Sequence, residues 1–281
     1  MPNKNFKFIK KNANAKINLG LQVLNKREDN YHNINTIFYP LRLHDKLEFY
    51  QNTEFKIIDN LNNKIKIKEN IIYKVWKIFF NNFNISPIKV ILTKNIPIGS
   101  GLGGGSSNAA KTALAINEMF DLKLSDSELS DICSQIGSDV NFFLNGYLLA
   151  EGKSKGEKLE YFRISKRFRI ILVNPGIQIS TPWAYNQLKI SNQNFKEVNF
   201  KEIVLNEKIE NFKNYIFNDF ENVIFKHYPE IEKIKNKLYQ FGASFALMSG
   251  SGSTVFGIFN NNYDIKSISE HFGEYFVHLD F

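Results

Sequence analysis

The sequence predicts an α+β protein of two domains. Strand-like alternation and helical spacing occur side by side in both halves of the chain, which disfavours an all-helical or all-strand fold. The length of 281 residues suits two packed domains better than one. A polar, turn-rich stretch near residues 152–166 marks the expected junction. We therefore expect an N-terminal domain over residues 1–160 and a C-terminal domain over residues 161–281.

The first half begins with a strand. In residues 15–24 polar and apolar side chains alternate, so that Lys16 and Asn18 share one face and Ile17 and Leu19 the other. Further elements are expected, in chain order, as strands at 34–41 and 46–50, a hairpin within 52–68, a helix over 69–83 and a strand over 88–92.

Helices and strands continue along the rest of the chain. Ser125 and Glu128 form a capping box that starts one helix, with Gly137 as its expected stop. The other expected elements are a helix over 109–120, a short helix over 140–144, a strand over 168–173, a helix over 230–240 and a strand over 254–259.

Composition bounds the class of protein. Hydrophobic residues make up 43% and charged residues 23%, which is typical of a globular chain. The net charge of +8 accompanies a general excess of Lys and Asn, so it favours a compositional bias over a nucleic-acid-binding tract. The single cysteine, Cys133, excludes an intramolecular disulfide and a thiolate metal cluster. Without a signal peptide or a long apolar run, we expect a cytoplasmic protein with no membrane or nucleic-acid partner.

A glycine-rich loop dominates the sequence. Five of the seven residues from Gly99 to Gly105 are glycine, and Ser106 and Ser107 lead into the next helix. Such a backbone can turn sharply and direct its N–H groups at an anion, and the helix N-terminus adds a partial positive charge. The loop therefore predicts a phosphate cradle, with a flexible hinge as the weaker alternative.

The residues after the glycines narrow the type of cradle. A Walker A loop would need a Gly-Lys-Ser/Thr ending, which is absent. Gly99, Gly101 and Gly104 satisfy the dinucleotide-binding pattern, but that interpretation needs an acidic residue at the end of a second strand. Asp121 has the required spacing, yet it follows a predicted helix, so the sequence disfavours a nicotinamide-dependent oxidoreductase.

Five sequence blocks, in order along the chain, resemble motifs of the GHMP kinase superfamily. Within that superfamily they most resemble the members that phosphorylate cytidine-diphospho-methylerythritol in the non-mevalonate isoprenoid pathway. The blocks are Ala15–Leu19, Arg27–His32, the loop with Ser-Ser-Asn-Ala-Ala, Gly137–Val140, and Pro175–Pro182, with a further Ser249–Gly252 turn shared by the superfamily. The resemblance implies a ribosomal-S5-domain-2-like N-terminal domain and a ferredoxin-like C-terminal domain. A related kinase for homoserine, mevalonate or a sugar remains the alternative.

The resemblance also implies a role for each matching residue. Asp139 is expected to be the catalytic base, and Lys16 is expected to pair with it and to face the transferred phosphate. From the residues alone, a helix N-cap is the favoured explanation of Asp139, and a solvated strand lysine is the alternative explanation of Lys16. The expected ATP contacts are Pro97, Ile98, Gly99, Ser100, Gly101, Leu102, Gly103, Gly104, Gly105, Ser106, Ser107 and Asn108, together with Lys94 and Asn70.

The substrate side is expected to bind cytosine in a flat slot. Tyr31 and Tyr185 are the expected stacking walls, with Trp183 as an alternative wall, and His32 is the expected hydrogen-bonding partner of the base. Tyr31 and His32 can equally be packing residues on sequence alone. The remaining substrate contacts implied are Asn18, Thr181, Gly250 and Ser251. ATP is expected to bring Mg²⁺ with it, no protein metal site is expected, and the chain is expected to be a monomer or a homodimer.

Four positions depart from the family pattern. Asn30 stands where Gly is usual, which is tolerable because Asn adopts left-handed backbone more readily than other side chains. Asn141 replaces a Pro two residues after Asp139, Ser100 replaces a Gly, and Asn14 replaces a Pro. None of these changes removes a chemical group that phosphoryl transfer needs.

Overall fold

The computed structural model describes residues 8–60, 66–145, 148–165, 167–188, 196–260 and 263–280. Groups of strands and groups of helices follow one another along the chain. The strands are β1 (Phe8–Lys26), β2 (His32–Gln51), β3 (Lys56–Asp59), β4 (Ile88–Thr93), β5 (Leu149–Lys153), β6 (Lys158–Phe162), β7 (Arg169–Asn174), β8 (Phe245–Met248), β9 (Val255–Phe259) and β10 (Phe276–Asp280). The α+β prediction is confirmed.

Of the eight α-helices in the described residues, the first three and the seventh fall where the sequence predicts a helix, and the other four were not predicted. The eight helices are α1 (Ile71–Phe83), α2 (Gly104–Met119), α3 (Asp126–Ser134), α4 (Thr181–Gln187), α5 (Phe200–Asn206), α6 (Glu221–His227), α7 (Pro229–Gln240) and α8 (Ile265–His271). Short 3₁₀ helices cover Ile67–Glu69, Asn141–Phe143 and Ile209–Asn214. The capping box of Ser125 and Glu128 is present at the start of α3, whereas that helix ends at Ser134, before the expected stop at Gly137.

Two compact units divide the chain, and each is assembled from several stretches. The first unit combines Met1–Ala15, Leu43–Ile96 and Gly103–Gly146; the second combines Lys16–Arg42, Pro97–Leu102 and Tyr147–Phe281. The paired strands β1 and β2 contribute residues to both units. The simpler division into residues 1–160 and 161–281 stays a prediction.

In the first unit, β4 lies between two partners. It pairs antiparallel with the second half of β2, where Leu47 faces Leu92, and parallel with β3, where Ile57 faces Val90. Helices α1 and α2 pack on each other, with Ile72, Val75 and Phe79 of α1 buried. The expected hairpin within 52–68 is wrong for the described part, because β3 pairs in parallel with β4; residues 61–65 of that stretch lie outside the described residues. Alternating Ile residues predict a strand but do not identify its partner.

The second unit holds two sets of strands. The first half of β2 pairs with β5, which pairs with β6. A separate antiparallel sheet has the order β10-β7-β9-β8. Its chain order of strand, helices, two strands, helix and strand is the ferredoxin-like arrangement. Behind it, Ile231, Ile234 and Leu238 of α7 pack in one core with Met248 and Val255.

Two further strand predictions are refined. The expected strands at 34–41 and 46–50 form one continuous strand, β2, over twenty residues. Both faces of β1 are buried from Ala13 to Val23, including the face that carries Lys16 and Asn18. Alternation in sequence therefore distinguishes the two faces of this strand, but not their exposure.

Candidate active site

The glycine loop connects β4 to α2, as the strand–loop–helix prediction requires. Gly99, Gly101 and Gly103 all have left-handed backbone, with φ of 66°, 78° and 70°. Gly103 is the N-cap of α2. Residues with a Cβ rarely adopt this conformation, so the alternate glycines are what allows the backbone to follow this path.

The second unit brings the loop residues 99–102 against the turn Ser249–Gly252. A Cβ on Gly101 would lie 2.1 Å from the Ser249 carbonyl oxygen, and one on Gly252 would lie 2.2 Å from the Gly101 nitrogen. The Thr254 N–H donates to the Ser100 carbonyl at 3.2 Å, and the Ser249 hydroxyl donates to the Gly101 carbonyl at 3.0 Å. Glycine is thus needed on both sides of this contact for the two backbones to approach so closely.

In the first unit, the start of α2 carries two buried oxygen atoms that lack a protein partner. These are Ser107 Oγ and Asn108 Oδ1, and neither has a hydrogen-bond partner among the residues the structure describes. Gly105 and Ser106, in the same turn, are more accessible to solvent. Helix N-termini attract anions, and a serine hydroxyl can donate to a phosphate oxygen or ligate Mg²⁺. The Ser107 hydroxyl and the start of α2 therefore fit a nucleotide phosphate group, whereas Asn108 Oδ1 can only accept a hydrogen bond and would not bind one.

Lys16 and Asn18 form a buried pair on one face of β1, with 3% and 2% of their surfaces exposed. The Lys16 ammonium donates to Asn18 Oδ1 at 2.5 Å and to the Gly101 carbonyl at 3.3 Å. The Asn18 amide donates to Thr36 Oγ1 at 2.9 Å, and its backbone N–H donates to Ser249 Oγ at 3.2 Å. Asn18 therefore supports Lys16, and Lys16 in turn contacts the glycine loop.

Asp139 lies in the first unit, in a turn over residues 138–140 that leads into the 3₁₀ helix Asn141–Phe143. The short helix expected over 140–144 is therefore present. Its N-cap is Val140, without a side-chain cap, so the alternative interpretation of Asp139 as an N-cap is wrong. The half-buried position of Asp139 leaves the residue partly accessible to solvent.

Lys94 makes close contacts inside the first unit. Its ammonium lies 2.7 Å from Asp45 Oδ2 and donates to the Ile96 carbonyl at 2.6 Å. The other Asp45 oxygen accepts from the backbone N–H groups of Asn95 and Ile96. Burial lowers the pKa of Lys94, and Asp45 opposes that shift. The ammonium also lies beside Gly104, since a Cβ there would be 3.0 Å from it. Lys94 therefore fixes the strand end that precedes the glycine loop, and its contact with adenosine stays a prediction.

Asn70 has a clear structural role. It is the N-cap of α1, where its side-chain oxygen accepts a hydrogen bond from the Ile72 N–H at 3.0 Å. The residue is buried, at 6% exposure. An N-cap of this kind satisfies one of the helix's unpaired donors. The predicted contact between Asn70 and a nucleotide stays a prediction.

Of the aromatic residues expected around cytosine, the structure brings His32 and Tyr185 together. Their rings stack at 4.9 Å with an interplanar angle of 10°, and Phe220 packs edge-on against Tyr185. Trp183, the alternative wall, instead packs edge-on against His227. Burial lowers the pKa of His32, as does the nearby Lys26 cation, so its imidazole is neutral at pH 7.

Tyr31 has a different environment, although it precedes His32 in sequence. It is 58% exposed, and the Lys155 ammonium lies 4.8 Å from its ring centroid. The turn that carries it is closed by a hydrogen bond from the Arg27 N–H to the Tyr31 carbonyl. Asn30 in this turn has φ of 64°, so the left-handed conformation expected where Asn replaces Gly is confirmed. Tyr31 therefore presents a solvent-facing ring on a defined turn.

The turn Ser249–Gly252 is held by a residue that sequence reasoning missed. The Asn218 amide donates to the carbonyls of Met248 at 2.7 Å and of Gly250 at 2.8 Å. Ser251 and Thr181 share a hydrogen bond of 2.8 Å between their hydroxyls. Asn218 lies in a polar region without clear periodicity, and the only available signal was an Asn followed by the acidic residues Asp219 and Glu221.

Membrane spans and metal clusters are both absent from the residues that the structure describes. No helix in the described part of the chain is long and apolar enough to cross a membrane. Over the same residues, no three or more His, Cys, Asp and Glu side chains are grouped so that they could hold a metal ion.

Comparison with known proteins places this geometry in a family. The model of the GHMP kinases N terminal domain matches residues 70–147, and that of the GHMP kinases C terminal domain matches residues 200–278. The chain is similar to the 4-diphosphocytidyl-2-C-methyl-D-erythritol kinase of Thermodesulfovibrio yellowstonii, with 40% identity over 95% of each chain. It is 42% identical to that of Cytophaga hutchinsonii, over 88% of this chain and 91% of the relative.

Solved structures agree with this placement. A crystal structure of 4-(cytidine 5'-diphospho)-2C-methyl-D-erythritol kinase superposes with a TM-score of 0.80 and 26% identity, over 97% of this chain and 98% of that one. L. major mevalonate kinase in complex with R-mevalonate shares the fold, with a TM-score of 0.73 and 16% identity over 100% of this chain and 97% of that one. By its fold, its glycine loop and its sequence relatives, the chain belongs to the 4-diphosphocytidyl-2-C-methyl-D-erythritol kinase family of phosphotransferases, within the GHMP kinases.

Proposed function

We propose that the chain transfers the γ-phosphate of ATP to the 2-hydroxyl of 4-diphosphocytidyl-2-C-methyl-D-erythritol, in the non-mevalonate route to isoprenoid precursors. The observation that carries this proposal is the 40% identity, over 95% of the chain, to a relative of that name. The glycine loop, the buried Lys16 and the turn that carries Asp139 are the features that support the chemistry.

The ATP phosphates bind along Gly99–Ser107 in this proposal. The three left-handed glycines support it, because they allow the backbone N–H groups to face an anion. The N-terminus of the sixteen-residue α2 adds a partial positive charge, and the unpaired Ser107 hydroxyl adds a donor. Mg²⁺ bound to the ATP phosphates supplies charge neutralisation, with Ser107 as the protein oxygen that would help to hold it.

Asp139 acts as the base, and Lys16 acts on the transferred phosphate. The substrate oxygen attacks the γ-phosphorus, the bond from that phosphorus to the β–γ bridging oxygen breaks, and the hydroxyl proton passes to the Asp139 carboxylate. ADP is the leaving group. The Lys16 ammonium offsets negative charge on the phosphoryl oxygens. Its burial supports this role, because a desolvated ammonium interacts more strongly than one in water.

The cytidine end of the substrate binds near Tyr31, His32 and Tyr185 in this proposal. The parallel arrangement of the His32 and Tyr185 rings supports it, since a flat base stacks on such surfaces. Neutral His32 can both donate to and accept from the base. Thr181, Ser251 and Gly250 supply polar groups next to the turn, and Asn18 orients the methylerythritol part.

The test is a turnover assay with purified protein, ATP, Mg²⁺ and a panel of alcohols, with ADP release as the readout. We expect turnover with the cytidine-diphospho substrate. Turnover with mevalonate or homoserine alone would contradict the substrate, and the absence of turnover with every alcohol would contradict the kinase activity.

The base is tested by Asp139→Asn, with Asp131→Asn as the matched control. Asp131 is exposed on α3, a few residues away in the same unit. We expect Asp139→Asn to lower kcat by about 100-fold or more, the usual effect of losing a general base, while ATP still binds. Asp131→Asn should keep normal kcat. A kcat for Asp139→Asn close to that of the parent would show that the assignment is wrong.

A further inference from the structure

A lysine inside α2 connects that helix to the segment that carries Asp139. Lys111 lies seven residues after Gly104, two helical turns into α2. Its ammonium donates a hydrogen bond of 2.7 Å to the carbonyl oxygen of Phe143. Phe143 is the last residue of the 3₁₀ helix that follows the Asp139 turn. All of these residues belong to the first unit.

The Phe143 carbonyl needs such a donor. Carbonyl groups in the last turn of a helix have no partner within the helix, and a buried one left unpaired is costly. Phe143 is buried, at 3% exposure. A hydrogen bond from an ammonium is stronger than one from a neutral donor. Lys111 therefore fixes the end of the short helix more firmly than a neutral side chain would.

The segment between Asp139 and Phe143 is short and internally bonded, so a displacement at one end reaches the other. The Val140 N–H donates to the Gly137 carbonyl at 3.2 Å, and the Phe143 N–H donates to the Val140 carbonyl at 3.0 Å. Val140 is fully buried. On the α3 side, the Asn141 amide donates to Ser134 Oγ at 2.8 Å. The position of the Asp139 turn thus depends on α3 at one end and on Lys111 at the other.

Keeping a cation in this position is unfavourable by itself. Burial lowers the pKa of Lys111 to about 8, with the Lys11 cation of β1 adding to the shift. Lys11 is itself paired with Glu118 of α2 at 2.7 Å. A methionine of similar length could fill the same space without a charge. The contact with the Phe143 carbonyl is the interaction that distinguishes lysine here from an apolar residue.

We propose that Lys111 is a positioning residue. Its hydrogen bond to the Phe143 carbonyl holds the segment that bears Asp139 in place relative to α2, the helix that follows the glycine loop. This rests on the proposed role of Asp139 as base. Lys111 does not touch the reacting groups in this proposal; it keeps the Asp139 carboxylate aligned relative to the start of α2. Its loss should therefore change the rate of the chemical step more than the binding of ATP.

The kinetic test compares Lys111→Met, Lys111→Arg and the control Lys11→Met. Lys11→Met removes a neighbouring positive charge but no bond to the Phe143 carbonyl. We expect Lys111→Met to lower kcat by about 10- to 100-fold with little change in the KM for ATP, since misplacement by about 1 Å can cost about 100-fold. Lys111→Arg, which keeps the cation, should recover part of the loss, and Lys11→Met should keep the kcat of the parent. A parent-like kcat in Lys111→Met, or an increase only in its KM for ATP, overturns the proposal.

Hydrogen exchange separates this inference from the proposed function and from simple misfolding. In Lys111→Met we expect faster exchange of the backbone amides of residues 140–144, with those of α7 unchanged. Unchanged exchange at 140–144 overturns the inference whatever the activity is. If exchange at 140–144 is faster in Lys111→Met but the parent protein turns over no substrate, the result supports the hydrogen bond's role in holding this segment and counts against Asp139 as base. Faster exchange throughout both units would indicate general unfolding and would overturn the specific role.

Discussion

Replacing Gly101 by alanine would add a carbon atom where the backbone of another segment leaves no room. The new Cβ would lie 2.1 Å from the Ser249 carbonyl oxygen, and φ at this residue is +78°. The loop and the Ser249–Gly252 turn would have to separate by about 1 Å to restore an ordinary contact. That separation would break the hydrogen bonds between Ser249 Oγ and Gly101 and between Thr254 and Ser100.

The cost of this substitution has two parts. Left-handed backbone costs a residue with a Cβ about 1–2 kcal/mol. Two lost hydrogen bonds add about 1 kcal/mol each. At roughly 2 °C per kcal/mol for a chain of this size, Gly101→Ala should lower Tm by about 6–8 °C. Since about 1 Å of misplacement can cost about 100-fold in rate, kcat/KM for ATP should fall by a similar factor.

Gly242→Ala is the matched control, because it isolates the backbone strain from the steric clash. Gly242 follows α7, has φ of +90°, and has no atom within 4 Å of the position that a Cβ would occupy. It should lose only the strain part, about 2–4 °C in Tm, with normal turnover. The assays are thermal unfolding and ADP release. Equal Tm losses in the two variants, or parent-like ATP turnover in Gly101→Ala, would refute the reasoning.

Two further predictions concern other buried groups. Burial raises the pKa of the Cys133 thiol to about 12, whereas the thiol of the unfolded protein has a pKa of about 8.5. Iodoacetamide at pH 8 should therefore alkylate the native protein about 1,000-fold more slowly than the unfolded one. Because only the unfolded state releases this proton between the two pKa values, the thiol's contribution to stability falls as pH rises above about 8.5. Comparable alkylation rates would contradict the burial. Asn218→Leu should destabilise the protein by about 2–4 kcal/mol, since it leaves the carbonyls of Met248 and Gly250 without their donor. A change in unfolding free energy below about 0.5 kcal/mol, as for an ordinary surface position, would show that the turn does not depend on Asn218.

The sequence was most informative at positions where few residue types can adopt the required backbone conformation. Alternate glycines in the loop predicted a backbone that other residues cannot follow, and the structure has Gly99, Gly101 and Gly103 in left-handed conformation. Asn30 replaces a glycine with the side chain that best tolerates the same conformation, and its φ of 64° agrees. Such conformational preferences are local, so they can be read before the fold is known.

Long-range partners could not be predicted in the same way. The spacing of Ile57 and its neighbours predicted a strand, but not that it would pair in parallel with β4. Lys94 was predicted only as a nucleotide contact, and the structure alone revealed that its ammonium also lies 2.7 Å from Asp45. In both cases the partner lies more than thirty residues away in sequence, and only packing brings it close.

By itself, then, the sequence determined the α+β class, the glycine loop, and the family to which the loop and its accompanying blocks belong. Only the tertiary structure decided that Asn18 supports Lys16, that Asn218 holds the Ser249–Gly252 turn, and that Lys111 bonds to the Phe143 carbonyl. The reason is physical. Backbone conformation and helix spacing depend on neighbouring residues, whereas the partner of a buried polar group depends on which distant segment the core brings beside it.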